Sequence, residues 1–124
     1  MKEAVREVEI FDWDREGSEQ LRNANFRLLD TTLRDGVQAP GIKQPSLKDK
    51  LAIIDFDAQL GVEAIDICLP SNPKTRYFQE GVECARYIAE QYPGIEIVVL
   101  TPTIQPNVDA TLLFADRAGV KISS

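Results

Sequence analysis

The sequence predicts an α/β fold built on a parallel sheet. Two observations carry this: strand-like and helix-like segments alternate as β-α-β-α-β-α-β from Arg27 onward, and no hairpin signal joins any two strands. Strands that alternate with helices pair in parallel through right-handed crossovers. An open doubly wound sheet and part of a closed barrel both fit the repeat spacing. No Gly-x-Gly-x-x-Gly follows the first strand, so a dinucleotide-binding fold lacks its main support.

Residues 1–26 are polar and charged and read as a leader, with one short strand expected around the apolar patch Val8-Glu9-Ile10-Phe11-Asp12-Trp13. Residues 27–124 carry the repeat. The first strand is expected from Arg27 to Thr31, running into a loop holding Gly36, Pro40, Gly41 and Pro45. A helix follows, with Ser46 as N-cap, Asp49 as its capping-box partner, and Gly61 as the left-handed stop. Leu47, Leu51, Ile54 and Ala58 share its apolar face.

Glu63 to Leu69 predicts the second strand, closed by Pro70; Lys74 to Tyr92 predicts the second helix, burying Phe78, Val82, Ala85 and Ala89 and ended by Pro93-Gly94. The third strand, Ile95 to Leu100, is mostly β-branched, as for a strand covered on both faces. Asn107 suits the cap of a third helix burying Val108, Leu112 and Ala115, with Gly119 past its end. Val120-Lys121-Ile122-Ser123 reads as the start of a fourth strand.

Composition limits the function. Of 124 residues, 44% are hydrophobic and 27% charged, ordinary for a globular domain. The net charge of −6 and the lack of a basic cluster argue against a nucleic-acid partner. The longest apolar runs, such as Ile97 to Leu100, are far shorter than a membrane span, and Met1 to Glu7 has no apolar signal core. A cytoplasmic protein without a membrane partner is expected. Cys68 and Cys84 read as reduced, buried thiols. Histidine is absent, so chemistry in this chain must rest on carboxylates, Arg, Tyr, Cys or a hard cation.

The stretch Leu29-Asp30-Thr31-Thr32-Leu33-Arg34-Asp35-Gly36-Val37-Gln38-Ala39-Pro40-Gly41 starts in a strand and leaves its carboxyl end, where parallel α/β folds place ligands. It suits enolate stabilisation. A metal held by Asp35 would polarise the oxygen that becomes negative, and the permanently charged Arg34 would donate hydrogen bonds to it. Gly36 would let the backbone turn tightly. As a bare triplet, Arg-Asp-Gly more often marks a surface ion pair.

Asp30-Thr31-Thr32-Leu33-Arg34-Asp35-Gly36-x-Gln38, followed by Pro40-Gly41, resembles the signature of the isopropylmalate synthase, homocitrate synthase and HMG-CoA lyase family of metal-dependent TIM-barrel enzymes. Gly61-Val62-Glu63-Ala64-Ile65-Asp66 with Pro70 is similar to the family's second strand, and Val98-Val99-Leu100-Thr101 to its third. The resemblance implies a partial (β/α)8 barrel over residues 27–124: three β/α units and the start of strand four. By position it makes Asp35 a metal ligand, Arg34 a catalytic and substrate-binding residue, Gln38 a substrate-binding residue and Asp66 a catalytic carboxylate. Asp66 stands where the family usually has a glutamate, one methylene longer. Pro102 occupies a place where a polar or basic residue is expected.

The implied parent activity is condensation of acetyl-CoA with a 2-oxo acid, with a divalent metal (Mg, Mn or Zn) as cofactor. The Ala39-Pro40-Gly41 tail favours a synthase over a C–C lyase. A competing expectation is a non-catalytic partial barrel serving in binding or assembly. The family completes its metal site with a His-x-His pair on a later strand, and a whole barrel takes about 250 residues. The chain is therefore expected to be an N-terminal fragment, inactive alone, holding metal weakly and self-associating through open sheet edges and a bare inner face. Tyr77, Phe78 and Tyr87 read as packing residues, and Lys74 and Arg76 as a solvated helix start.

Overall fold

A computed structural model describes residues 24–121; the apolar patch of the leader and the fourth strand beyond Lys121 lie outside the described residues. Within them the order is β1 (Leu29–Asp30), a 3-10 turn (Gly36–Gln38), α1 (Leu47–Leu60), β2 (Ala64–Cys68), α2 (Arg76–Gln91), β3 (Glu96–Val99) and α3 (Gln105–Ala118). The three strands form one parallel sheet in the order β1-β2-β3. The α/β class and the parallel pairing are as predicted. No helix here is long and apolar enough to cross a membrane.

Local chemistry explains where the elements start and stop. Ser46 is extended, its hydroxyl accepts from the Asp49 amide, and Asp49 accepts in return from the Ser46 amide at 3.1 Å. Gly61 ends α1 at φ 78° and Gly119 ends α3 at φ 68°, a conformation that costs a Cβ-bearing residue about 1–2 kcal/mol. Thr75 caps α2 by accepting from the Phe78 amide at 3.2 Å, one residue inside the expected start.

The third helix departs from expectation. It begins at Gln105 with Pro in its first turn, so Asn107 is not the cap. Asn107 is buried, and its Nδ2 donates to the Pro70 carbonyl at 3.1 Å, tying α3 to the end of β2. The buried face is Asn107, Ala110, Phe114 and Ala118, while Val108 and Leu112 are exposed. This helix has two apolar stripes, and the one carrying Phe114 docks because that ring meets Phe78 edge-on at 5.5 Å. In α2, Ala89 is exposed, and Gly81, Cys84 and Ile88 join Phe78, Val82 and Ala85 inside.

The core lies between the sheet and the helices, around Ile54, Ile65, Cys68, Phe78, Ile88 and Phe114. Burying each large apolar side chain contributes about 1.5–3 kcal/mol. A Cβ on Gly81 would lie 3.0 Å from the Cys68 sulfur and 3.1 Å from the Phe114 ring, so this glycine sets how closely α2 approaches β2. Every residue of β2 is buried, whereas in β3 only Ile97 is. Coverage on both faces thus belongs to the central strand rather than to the third, and the bare inner face expected of the sheet does not extend to β2. The alternation along β2 is interrupted by a bulge between Asp66 and Cys68, which re-aims the strand's end.

Candidate functional site

The motif folds as a turn pinned at both ends. Strand β1 ends at Asp30, whose carboxylate accepts from the Thr32 amide at 2.9 Å and the Thr32 hydroxyl at 2.8 Å. The Thr31 carbonyl then takes the amides of Arg34, Asp35 and Gly36 at 3.2, 2.8 and 3.3 Å. Leu33 is sunk in the core, and the Val37 carbonyl accepts from Gln44 Nε2 at 2.6 Å. The pairing part of β1 is therefore shorter than expected, and β1 is an edge strand among the described residues. Gly36 does not adopt a positive φ, and a Cβ there would meet Thr32 at an ordinary 3.6 Å; Gly41, at φ 76°, uses the left-handed region instead.

This turn folds Arg34 back over β2. Its Nε donates to Asp66 Oδ2 at 2.7 Å and its Nη1 to Asp35 Oδ1 at 2.8 Å. The two predicted catalytic residues, 32 positions apart, are thus in direct contact. Arg34 and Asp66 are largely sheltered, with side chains 17% and 6% exposed. The hydrogen bond that Arg34 donates to Asp66 raises the Arg34 pKa above its ordinary value, against the opposing effect of burial. Asp66 Oδ1 is buried and has no hydrogen-bond partner. A buried carboxylate oxygen in that state needs a reason, since such atoms are nearly always satisfied.

Other predicted residues are placed differently. Asp35 is exposed, its side chain 69% open, so it flanks the pair instead of lying in a closed cavity with Arg34. Gln38 is exposed at the end of the 3-10 turn, and among the described residues its side chain shares no hydrogen bond with Arg34 or Asp66. Cavities of about 340 and 280 Å³ are lined elsewhere, one by Pro93, Ile95 and Val120 near the base of β3, the other between α2 and α3. Pro102 sits just past β3, half-buried.

Metal-donor chemistry is incomplete. Among the described residues no group of three or more His, Cys, Asp or Glu side chains converges to hold a cation. Each of Asp35 and Asp66 gives one oxygen to Arg34; the other oxygen of Asp35 is at the surface of the site, whereas that of Asp66 is buried. One exposed carboxylate does not make a divalent site.

Sequence reasoning missed Lys50. It is 5% exposed, donates to Glu80 Oε2 at 2.7 Å and lies 5.6 Å from the centre of the Tyr77 ring. Burial disfavours ionised Glu80, but bonds from Lys50 and Arg76 outweigh it and lower its pKa. Nothing in the spacing of Lys50 and Glu80, 30 residues apart, announces this pair. The Tyr77 hydroxyl accepts from the Leu69 amide at 3.2 Å, at the carboxyl end of β2. Tyr87 and Tyr92 both donate to Asp55, joining α1 to α2 as packing residues. Arg76 is an exposed helix-start residue paired with Glu80. Cys68 and Cys84 are buried thiols, pushed by burial up to about 12 and about 11. Neither is a nucleophile in this setting.

No family model matches the chain, and no solved structure matches it. Among the relatives similar to it are three 2-isopropylmalate synthases or probable ones. One is the 2-isopropylmalate synthase of Saccharolobus solfataricus, 30% identical over 92 residues, 74% of this chain and 22% of that protein. The probable 2-isopropylmalate synthase of Ignicoccus hospitalis is 35% identical over 97 residues, 77% of this chain and 23% of that protein. The 2-isopropylmalate synthase of Acidimicrobium ferrooxidans is 42% identical over 84 residues, 68% of this chain and 15% of that protein. The chain spans less than a quarter of the length of these relatives.

Proposed function

We propose that this chain supplies the Arg34–Asp66 part of an isopropylmalate-synthase-like site, in which an acetyl unit from acetyl-CoA is condensed onto a 2-oxo acid. One observation carries the proposal: two residues from separate β/α units meet at the carboxyl end of a parallel sheet, with one buried carboxylate oxygen left open. Relatives named 2-isopropylmalate synthase support the same assignment. In this account the three β/α units are part of a (β/α)8 barrel whose ligands collect at the carboxyl ends of the strands.

The chemistry asked of this chain is charge stabilisation. Carbon–carbon bond formation at the 2-oxo carbonyl turns its oxygen negative. Asp66 fixes Arg34 through Nε, and the outer guanidinium edge, set beside Asp35, is available to donate to that oxygen. A donor held in place before the reaction is worth about 3–4 kcal/mol of barrier. Asp66 is thereby a positioning residue, since it acts through Arg34. Gln38 would contribute at the rim of the site. A divalent metal (Mg, Mn or Zn) would take at most one ligand, Asp35, from these residues and its others from beyond them. The steps assigned here do not pass through it.

The test is a chimera in which residues 27–121 replace the corresponding segment of the Acidimicrobium ferrooxidans synthase. Free CoA thiol is followed with acetyl-CoA, a 2-oxo acid and Mg²⁺ or Mn²⁺. The proposal expects thiol release that falls at least a hundredfold with Arg34→Gln. Release insensitive to Arg34→Gln, or no 2-oxo-acid-dependent release from a folded chimera, rejects it.

A further inference from the structure

The carboxyl end of β2 is held in an irregular register. Glu63 and Cys68 both turn their carbonyls to β3, accepting from the Glu96 amide at 2.9 Å and the Leu100 amide at 3.0 Å. Their spacing is odd, and a regular strand, with its repeat of two, would face such residues opposite ways. The bulge between Asp66 and Cys68 supplies the extra residue. The Cys68–Leu69 peptide is trans, so the Leu69 N–H points away from the Cys68 carbonyl, toward the side where β1 ends and the Arg34 turn begins. No strand pairs with Leu69 on that side among the described residues, and the Tyr77 hydroxyl accepts its amide at 3.2 Å. Tyr77 stands in the first turn of α2, with the Lys50 ammonium 5.6 Å from the centre of its ring. Glu80 holds that ammonium at 2.7 Å, and both side chains are sheltered, 6% and 13% exposed.

We propose that Tyr77 is a positioning residue for the Arg34–Asp66 pair: by accepting the Leu69 amide, it holds β2 in the bulged register that aims Asp66 at Arg34. In regular pairing the Leu69 N–H would turn toward β3, out of reach of the Tyr77 hydroxyl, so this hydrogen bond exists only in the bulged form. A shift of one residue in a strand moves side chains to the opposite face. Relaxation of the bulge would therefore carry the end of β2 out of the arrangement in which Asp66 Oδ2 meets Arg34 Nε at 2.7 Å. The Lys50–Glu80 pair keeps the Tyr77 ring in place from the other side. Burial pushes the Tyr77 pKa up, so its hydroxyl keeps its proton and the clamp does not titrate near neutral pH. The effect on turnover rests on the function proposed above, whereas the effect on the Arg34–Asp66 contact does not.

The test compares Tyr77→Phe with Tyr87→Phe. Each removes one hydroxyl from α2 and keeps the ring, but the Tyr87 hydroxyl bonds Asp55 on α1 at 2.8 Å and not the end of β2. In the full chain, hydrogen exchange at Arg34 Nε is expected to be faster in Tyr77→Phe than in wild type, slower than in Asp66→Asn, and unchanged in Tyr87→Phe. In the chimera described above, Tyr77→Phe is expected to lower kcat about tenfold with little change in KM for the 2-oxo acid, short of the roughly hundredfold that a 1 Å misplacement can cost. Tyr87→Phe is expected to keep kcat. Exchange at Arg34 Nε as slow in Tyr77→Phe as in wild type overturns the inference, and so do equal effects of the two variants. A chimera whose release falls with Arg34→Gln but not with Tyr77→Phe also overturns it and leaves the proposed function standing. If Arg34→Gln has no effect, the proposed function fails, and exchange at Arg34 Nε alone decides whether Tyr77 positions the pair.

Discussion

Asp57 is a buried liability whose removal is expected to stabilise the protein in a pH-dependent way. It lies near the end of α1, 6% exposed, and its Oδ2 has no hydrogen-bond partner. Burial, aided by the negative charge of Asp30, pushes its carboxyl from 3.8 up to about 6. The folded state therefore holds this proton more tightly than the unfolded chain does. Stability from this group is full below about pH 4 and is lost as pH rises through about 6. A rise of about two pH units at about 1.4 kcal/mol each comes to roughly 3 kcal/mol. Asp57→Asn cannot ionise, so it escapes this penalty. Urea unfolding followed by circular dichroism is expected to show the variant more stable than wild type by up to about 3 kcal/mol at pH 7.5, with the gap closing near pH 4. A variant less stable at both values, or a gap that does not change with pH, would refute the reasoning.

Other perturbations probe the site and the core. Arg34→Met leaves Asp66 buried with both oxygens unpaired and is expected to cost about 3 kcal/mol in urea unfolding. Asp66→Asn, which retains polar atoms of the same shape, is expected to cost less, about 1–2 kcal/mol. Gly81→Ala drives a methyl group toward Cys68 and Phe114 and is expected to destabilise by about 1–3 kcal/mol despite its better helix propensity, with partial rescue by Cys68→Ala. Cys68 and Cys84 are expected to resist a thiol reagent at pH 8 in the native protein and to react at once in denaturant.

Much of this fold is written in local chemistry. The capping box at Ser46 and the left-handed glycines at 61 and 119 fix the ends of helices through contacts a few residues apart, so they can be read directly. The choice between the two apolar stripes of α3 cannot, because it depends on Phe114 finding Phe78 in another helix. The site divides in the same way. Arg34 stands out by its motif past a strand end and Asp66 through the resemblance, and they do meet. Their hydrogen bond requires the turn on the Thr31 carbonyl, which bends the motif out of the strand, and this was not apparent from the residue pattern. Lys50 carries no local signal of burial, and only its long-range partner Glu80 makes that burial tolerable.

The Arg34 side chain itself offers the most direct measurement. In a ¹⁵N spectrum its Nε–H, bonded to Asp66 at 2.7 Å, should be resolved and slow to exchange, should shift on addition of a 2-oxo acid, and should lose its protection in Asp66→Asn. An Nε–H that exchanges as fast as that of the exposed Arg76, and that responds neither to the 2-oxo acid nor to Asp66→Asn, would contradict the pairing on which the account rests.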